Sequence, residues 1–339
     1  MNQTLMEKEI LETAAVVAAH AERADIAAFG AALKNNPPKM LLTIGRGTSD
    51  HAAEYLSYWL MRYSGIPAAS IPLSLNTVYQ TQWHAKDALA LAISQSGGSQ
   101  DVVESVNNLQ HHGIPTITLV NAVPSPLSEV SKQTLPLQAG EEISVAATKS
   151  FIASLSIGLR AFNALFADSS LEKALTTLPE KIHAAENLDW SKAIEALKGL
   201  DRLYIVGRGA GLPIAKEAAL KCKETSLLQG EAFSGAEVKH GPMALINPRQ
   251  TVLFLAPPDE MQAGLVETAQ QFRAMGANVL LAADERVASR DLPLIDAGHP
   301  ALQGITTIQT FYRMAEKLSA ARGINTDNPP NLNKVTSTR

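Results

Sequence analysis

Cysteine is almost absent from this chain: Cys222 stands alone among 339 residues. A lone thiol excludes an intrachain disulfide framework and a thiolate metal cluster, and it agrees with a reducing compartment. Charge of one sign is also missing. The formal net charge is −4, and lysine and arginine are scattered rather than clustered. Nothing resembles the basic stripe that nucleic acid or an anionic membrane surface requires, so neither is expected as a partner. Long apolar runs are lacking too. No window reaches the roughly 18 uninterrupted apolar residues of a membrane span, and the start, MNQTLMEKEILETAAVVAAHAERAD, has acidic residues at short intervals instead of a signal-peptide core. The expectation is a cytoplasmic protein whose partner is a small molecule. No His/Asp/Glu spacing suggests a bound metal, and no cofactor is expected.

What the chain does have is a hydrophobic fraction of 46%, enough to fill one large or two mid-sized cores. It also contains one unit twice. KMLLTIGRGTSDHAAEYLSYWL (39–60) and DRLYIVGRGAGLPIAKEAALKC (201–222) each run apolar strand, Gly-Arg-Gly turn, helix, with Gly45 and Gly207 lying 162 positions apart. ALALAISQS with LQHHGIPTITLVN (88–96, 109–121) corresponds in the same way to TVLFLAPPD with FRAMGANVLLAAD (251–259, 272–284). A repeat on this scale is a repeated domain. Strands rich in Val, Ile, Leu and Ala alternate with helical stretches, which is the βαβ pattern of a parallel sheet covered on both faces. The expected fold is therefore α/β, two tandem doubly wound parallel-sheet domains of flavodoxin-like type. The expected boundaries are a helical segment over 1–38, a first domain over 39–165, a helical linker over 166–200, a second domain over 201–325 and a tail over 326–339.

In such sheets ligands sit beyond the carboxyl ends of the strands. There the first copy places Ser94, Gln95, Ser96, Gly97, Gly98 and Ser99, followed by the helical stretch DVVESVNNLQ. Hydroxyls, an amide, open backbone N–H groups and a helix N-terminus suit an anion such as phosphate. The same residues also make an ordinary serine cap with a glycine turn. The second copy separates the two readings. Its loop is APPDEM, where prolines remove N–H donors and an acidic pair repels phosphate. Only the first copy retains an anion site. Thr48 and Ser49 open the neighbouring helix and add donors, while Arg46 and its counterpart Arg208 are open to a phosphate-binding or a structural role. In the second half Lys221 and Glu224 share a helix face by their spacing of three. Glu217 with Lys221 reads equally as an i,i+4 surface pair.

IGRGTSDHAA, ISQSGGSQDVV, EEISVAATKSF, EAALKCKETSLLQGEAFSGAEVKHGPMALI and DNPPNLNKVTSTR resemble, in order and spacing, the sugar isomerase (SIS) double-domain family. The nearest likeness is to the isomerase half of glutamine-dependent glucosamine-6-phosphate synthases and to stand-alone SIS-type deaminases. The resemblance implies a hexose phosphate whose phosphate lies against Ser49, Ser94, Gln95, Ser96 and Ser99, the last replacing the usual threonine. It implies a sugar contact from the backbone of Val145, next to Ala147 where the synthases usually carry serine. It assigns acid–base roles to Glu224, Lys221, His240 and Lys334, with His240 supplied to the neighbouring subunit of a homodimer and Lys334 as a candidate Schiff-base lysine.

The implied chemistry is an aldose–ketose isomerisation coupled to loss of ammonia. His240 opens the sugar ring, Glu224 passes a proton between C2 and C1, and Lys221 balances charge at the C1 oxygen. MNQTLM offers no amidotransferase cysteine, so the expected direction is deamination of glucosamine 6-phosphate to fructose 6-phosphate. Rival expectations on the same scaffold are galactosamine-6-phosphate deamination and fructosamine-6-phosphate deglycation. A non-catalytic phosphosugar sensor is the rival of a different class. It has no need of Glu224, His240 and Lys334 together.

Overall fold

A computed structural model describes residues 3–334 of the chain. Among these, the strands are β1 (Met40–Ile44), β2 (Ala68–Ser70), β3 (Ala88–Ser94), β4 (Thr116–Val120), β5 (Gln133–Pro136), β6 (Arg202–Gly207), β7 (Gln229–Ser234), β8 (Thr251–Ala256), β9 (Asn278–Ala283) and β10 (Leu292–Pro293). They form two five-stranded sheets of order β2-β1-β3-β4-β5 and β7-β6-β8-β9-β10. Every pairing is parallel. The two orders are the same topology traversed twice, and the doubly wound α/β fold read from the repeat is the fold observed.

Why these segments become strands follows from their burial. All five residues of β4 and all six of β8 are buried, as expected where helices cover both faces of a parallel sheet. Leu42, Ile44, Ala90, Ala92, Val102, Val106 and Leu109 belong to the core of the first half. Val206, Val252, Phe254, Leu281, Ala269 and Phe272 belong to that of the second.

The repeated Gly-Arg-Gly has a steric reason. A Cβ on Gly45 would come within 2.9 Å of the Ser49 and Asp50 backbone, and one on Gly207 within 2.1 Å of the Gly211 carbonyl oxygen. The strand-to-helix turn closes only over a bare Cα. In each sheet the chain runs from the strand next to one edge out to that edge and returns on the strand's other side, so the switch points fall between β1 and β3 and between β6 and β8.

Two compact units result. The first comprises residues 15–142, 149–172 and 333–334 of those described; the second comprises 3–14, 143–148 and 173–332. In chain order, helices Leu5–Ala19 and Ala24–Asn35 precede β1, and Lys149–Phe166, Ser169–Glu186 and Ser191–Leu197 lie between β5 and β6. Within the second unit, Leu5 and Met6 donate backbone N–H groups to Asp327 at 2.9 and 3.2 Å. No helix among the described residues is long and apolar enough to cross a membrane.

Candidate active site

The first unit builds a hydroxyl-lined turn at its switch point. Ser94 ends β3, and its Oγ accepts from Gly97 N at 3.0 Å while Ser96 Oγ accepts from Gly98 N at 3.2 Å. Backbone bonds from Asn121 N to Ser94 O, Ala122 N to Gln95 O and Leu127 N to Gly97 O stitch the turn to its neighbours. Gly97 has φ +62°, and a Cβ there would lie 2.2 Å from Ser125 Oγ. Ser99 occupies the N-cap position of the helix Gln100–His111 without using its side chain to cap. That observation weighs against the simple capping reading, because the hydroxyl is spent on no cap. Ser49 and Thr48 open the helix Thr48–Ser64 that follows β1, on the other side of the same switch point.

Arg46 is held in an ion pair. Its guanidinium lies 2.8 Å from the carboxylate of Asp101, a buried residue in the first turn of the helix Gln100–His111. This contact supports the structural reading of Arg46. By the spacing of 163 that relates 88–96 to 251–259, Asp101 corresponds to Gly264, so the pairing is not repeated.

The second unit holds a lysine inside a cage of acid. On the helix Gly211–Ser226, Lys221 Nζ lies 2.5 Å from Glu224 Oε2 and 3.3 Å from Glu217 Oε1. The Tyr312 hydroxyl, from the helix Pro300–Ala321, donates to the same Glu217 oxygen at 3.0 Å. Positions 217, 221 and 224 recur at helical spacing and share one face. Lys221 and Glu217 are enclosed, at 1% and 0% side-chain exposure, whereas Glu224 is 21% exposed. The surface-pair reading of Glu217 and Lys221 is therefore overturned. Burial disfavours the Lys221 ammonium, but the Glu217 and Glu224 carboxylates outweigh it, and its pKa is raised above the ordinary lysine value. Cys222 is buried beside them, and burial pushes its thiol up to about 12, so it is a packing residue rather than a nucleophile.

His240 and Val145 also belong to the second unit, on separate segments. The short turn Glu237–Lys239 is pinned by the buried Val238, and His240 follows it, exposed to solvent. Leu245 on the next turn is 59% exposed. Val145 lies in 143–148, where Glu9 accepts from the backbone N–H groups of Ile143 and Ser144. Lys334 groups with the first unit, its Nζ 3.6 Å from Glu142 Oε2. The structure thus brings Lys221 and Glu224 into contact and gathers the 48–49 and 94–99 donors at one switch point. Glu217, Tyr312 and Glu142 do not stand out as site residues in the sequence. Only the spacing of 217, 221 and 224 signals any of them.

These features define a class: tandem parallel-sheet domains in which one copy carries a hydroxyl-lined turn at its switch point and the other a lysine–carboxylate cluster. The chain belongs to the SIS domain family, which matches residues 36–164 and 197–287. It is 34% identical over 321 residues to a glutamine–fructose-6-phosphate aminotransferase (isomerizing) from Aeropyrum pernix, covering 87% of this chain and 50% of that protein. It spans about half the length of the curated relatives it matches. Among solved structures, a protein described as a phosphosugar isomerase from Silicibacter pomeroyi superimposes with TM-score 0.90 at 38% identity, covering 96% of this chain and all of that one. Glucosamine-6-phosphate deaminase from Thermotoga maritima, at TM-score 0.79 and 24% identity, covers 99% of this chain and 100% of that one and shares the fold.

Proposed function

We propose that this protein is an amino sugar phosphate isomerase and deaminase, converting glucosamine 6-phosphate and water to fructose 6-phosphate and ammonia. The observation that carries the reading is the Lys221–Glu224 pair, because it supplies a partly buried carboxylate with a fixed cation against it. In the proposed reaction the opened aldose loses its C2 proton to Glu224, which returns it to C1 through an enolamine. The resulting C2 imine takes up water and releases ammonia. Lys221, held charged, stabilises negative charge on the C1 oxygen by hydrogen bonding rather than by giving up its proton. The hydroxyls of Ser49 and Ser99, with the backbone of 94–98, hold the phosphate. His240, on an exposed loop, opens the ring in the site of a second copy of the chain, and Lys334 serves the keto sugar. Val145 backbone contacts the sugar.

The test is ammonia release from glucosamine 6-phosphate by the purified chain, with galactosamine 6-phosphate alongside. Faster release from the first supports the reading; release from the second alone reassigns the epimer. Binding of both without release removes the catalytic reading in favour of a sensor.

A further inference from the structure

The N–H groups in the first turn of an α-helix have no carbonyl partner within it. In the helix Leu5–Ala19 they find acceptors at both ends of the chain. Glu7 N donates to the Thr4 hydroxyl at 3.0 Å. Leu5 N and Met6 N donate to the two carboxylate oxygens of Asp327, which lies 322 positions beyond Leu5. A carboxylate at the positive end of a helix is favourable in its own right. The segment that carries Asp327 is seated around it. Thr326 and Pro329 are buried, Asp327 N donates to the Asn325 side-chain oxygen at 3.0 Å, and Asn328 N donates to the Asn325 carbonyl oxygen at 3.3 Å. Just before it, the buried Ser319 hydroxyl donates to the Thr225 carbonyl oxygen at 2.6 Å and lies 2.9 Å from that of Ile324. Thr225 directly follows Glu224 on the helix Gly211–Ser226. The stretch 319–327 thus joins the end of the helix bearing Lys221 and Glu224 to the start of the N-terminal helix, all within the second unit.

We propose that Asp327 is a positioning residue: it clips the C-terminal tail to the N-terminal helix and so fixes where the chain sets out toward Lys334, seven positions on. An amine meets a carbonyl carbon productively only when both are held in one geometry. Pro329 and Pro330 stiffen the path between the clip and the lysine. The consequence for turnover rests on the amino sugar phosphate reading, in which Lys334 serves the keto sugar. The clip itself does not.

The test is amide hydrogen exchange of the intact chain, reading peptides that cover 3–12 and 324–332, with ammonia release from glucosamine 6-phosphate measured on the same samples. In Asp327→Ala both peptides exchange about tenfold faster than in the wild type, while β8 keeps its wild-type rate. The same variant lowers kcat about tenfold and leaves KM within about twofold. Asp327→Asn keeps one side-chain oxygen for the helix and returns part of the protection and part of kcat. Faster exchange in 3–12 alone makes Asp327 a helix cap only and overturns the proposal, as does a wild-type kcat in a chain whose tail has loosened. Should the wild type release no ammonia, the amino sugar phosphate reading fails, while exchange of 324–332 still decides whether the tail is clipped.

Discussion

Lys221 keeps its charge inside the second unit because Glu217 and Glu224 flank it and Tyr312 holds Glu217 in place. In the first unit a titratable side chain is treated in the opposite way. His20 is buried, with its ring between the Ser156 hydroxyl at 3.2 Å and the Leu137 carbonyl oxygen at 2.9 Å. Burial is the main cause that lowers its pKa to about 4 from 6.5, so the folded state holds it neutral. The unfolded chain then binds a proton first as pH falls. Stability contributed by neutral His20 is full above pH 6.5 and is lost as pH falls from 6.5 to 4, by up to about 3 kcal/mol at 1.36 kcal/mol per unit. Urea unfolding at pH 7, 5.5 and 4.5 should show this slope in the wild type and a shallower one in His20→Asn. Parallel slopes would show that His20 is not the group responsible.

At the scale of elements, the 94–99 loop is legible in the sequence because its chemistry is local. Glycine and serine directly behind the apolar β3 announce both the turn and its donors, and the contrast with APPDEM follows from donor counting alone. The Lys221–Glu224 face is legible from helical spacing for the same reason. Burial of Glu217 is not, because it depends on Tyr312, 95 positions away in the chain and brought close only by helix packing. The role of Arg46 stays open in the sequence for a like reason, since its partner Asp101 sits on the helix Gln100–His111, far along the chain from the turn that holds Arg46. Within the loop, Gly97→Ala forces a side chain into left-handed backbone and onto Ser125, and should destabilise the protein by about 2 kcal/mol or more. Ser99→Ala removes no cap, so its melting temperature should stay near wild type while KM for the sugar phosphate rises about tenfold through loss of one hydrogen bond to a charged group. A lower melting temperature with unchanged KM would make Ser99 a structural cap after all.

At the scale of the whole molecule, the duplication is legible in the spacing of the two Gly-Arg-Gly turns and explains the division of labour. Both sheets have the same strand order, both strand-to-helix turns need glycine, and the hydroxyl-lined turn proposed to hold phosphate lies at the switch point of the first copy while the Lys221–Glu224 pair proposed for acid–base work lies in the second. The proposed homodimer adds one requirement, that His240 serve the neighbouring site. Mixing inactive His240→Ala with inactive Glu224→Gln subunits should restore part of the ammonia release, and continued inactivity of verified mixed dimers would place His240 outside the mechanism. Glu224 is the group proposed to move the proton, and the measurement that bears on that role most directly is ammonia release from glucosamine 6-phosphate by Glu224→Gln, with sugar phosphate affinity measured on the same sample. The expected result is a rate lower by at least about a hundredfold with affinity within about threefold of wild type; a wild-type rate would contradict it.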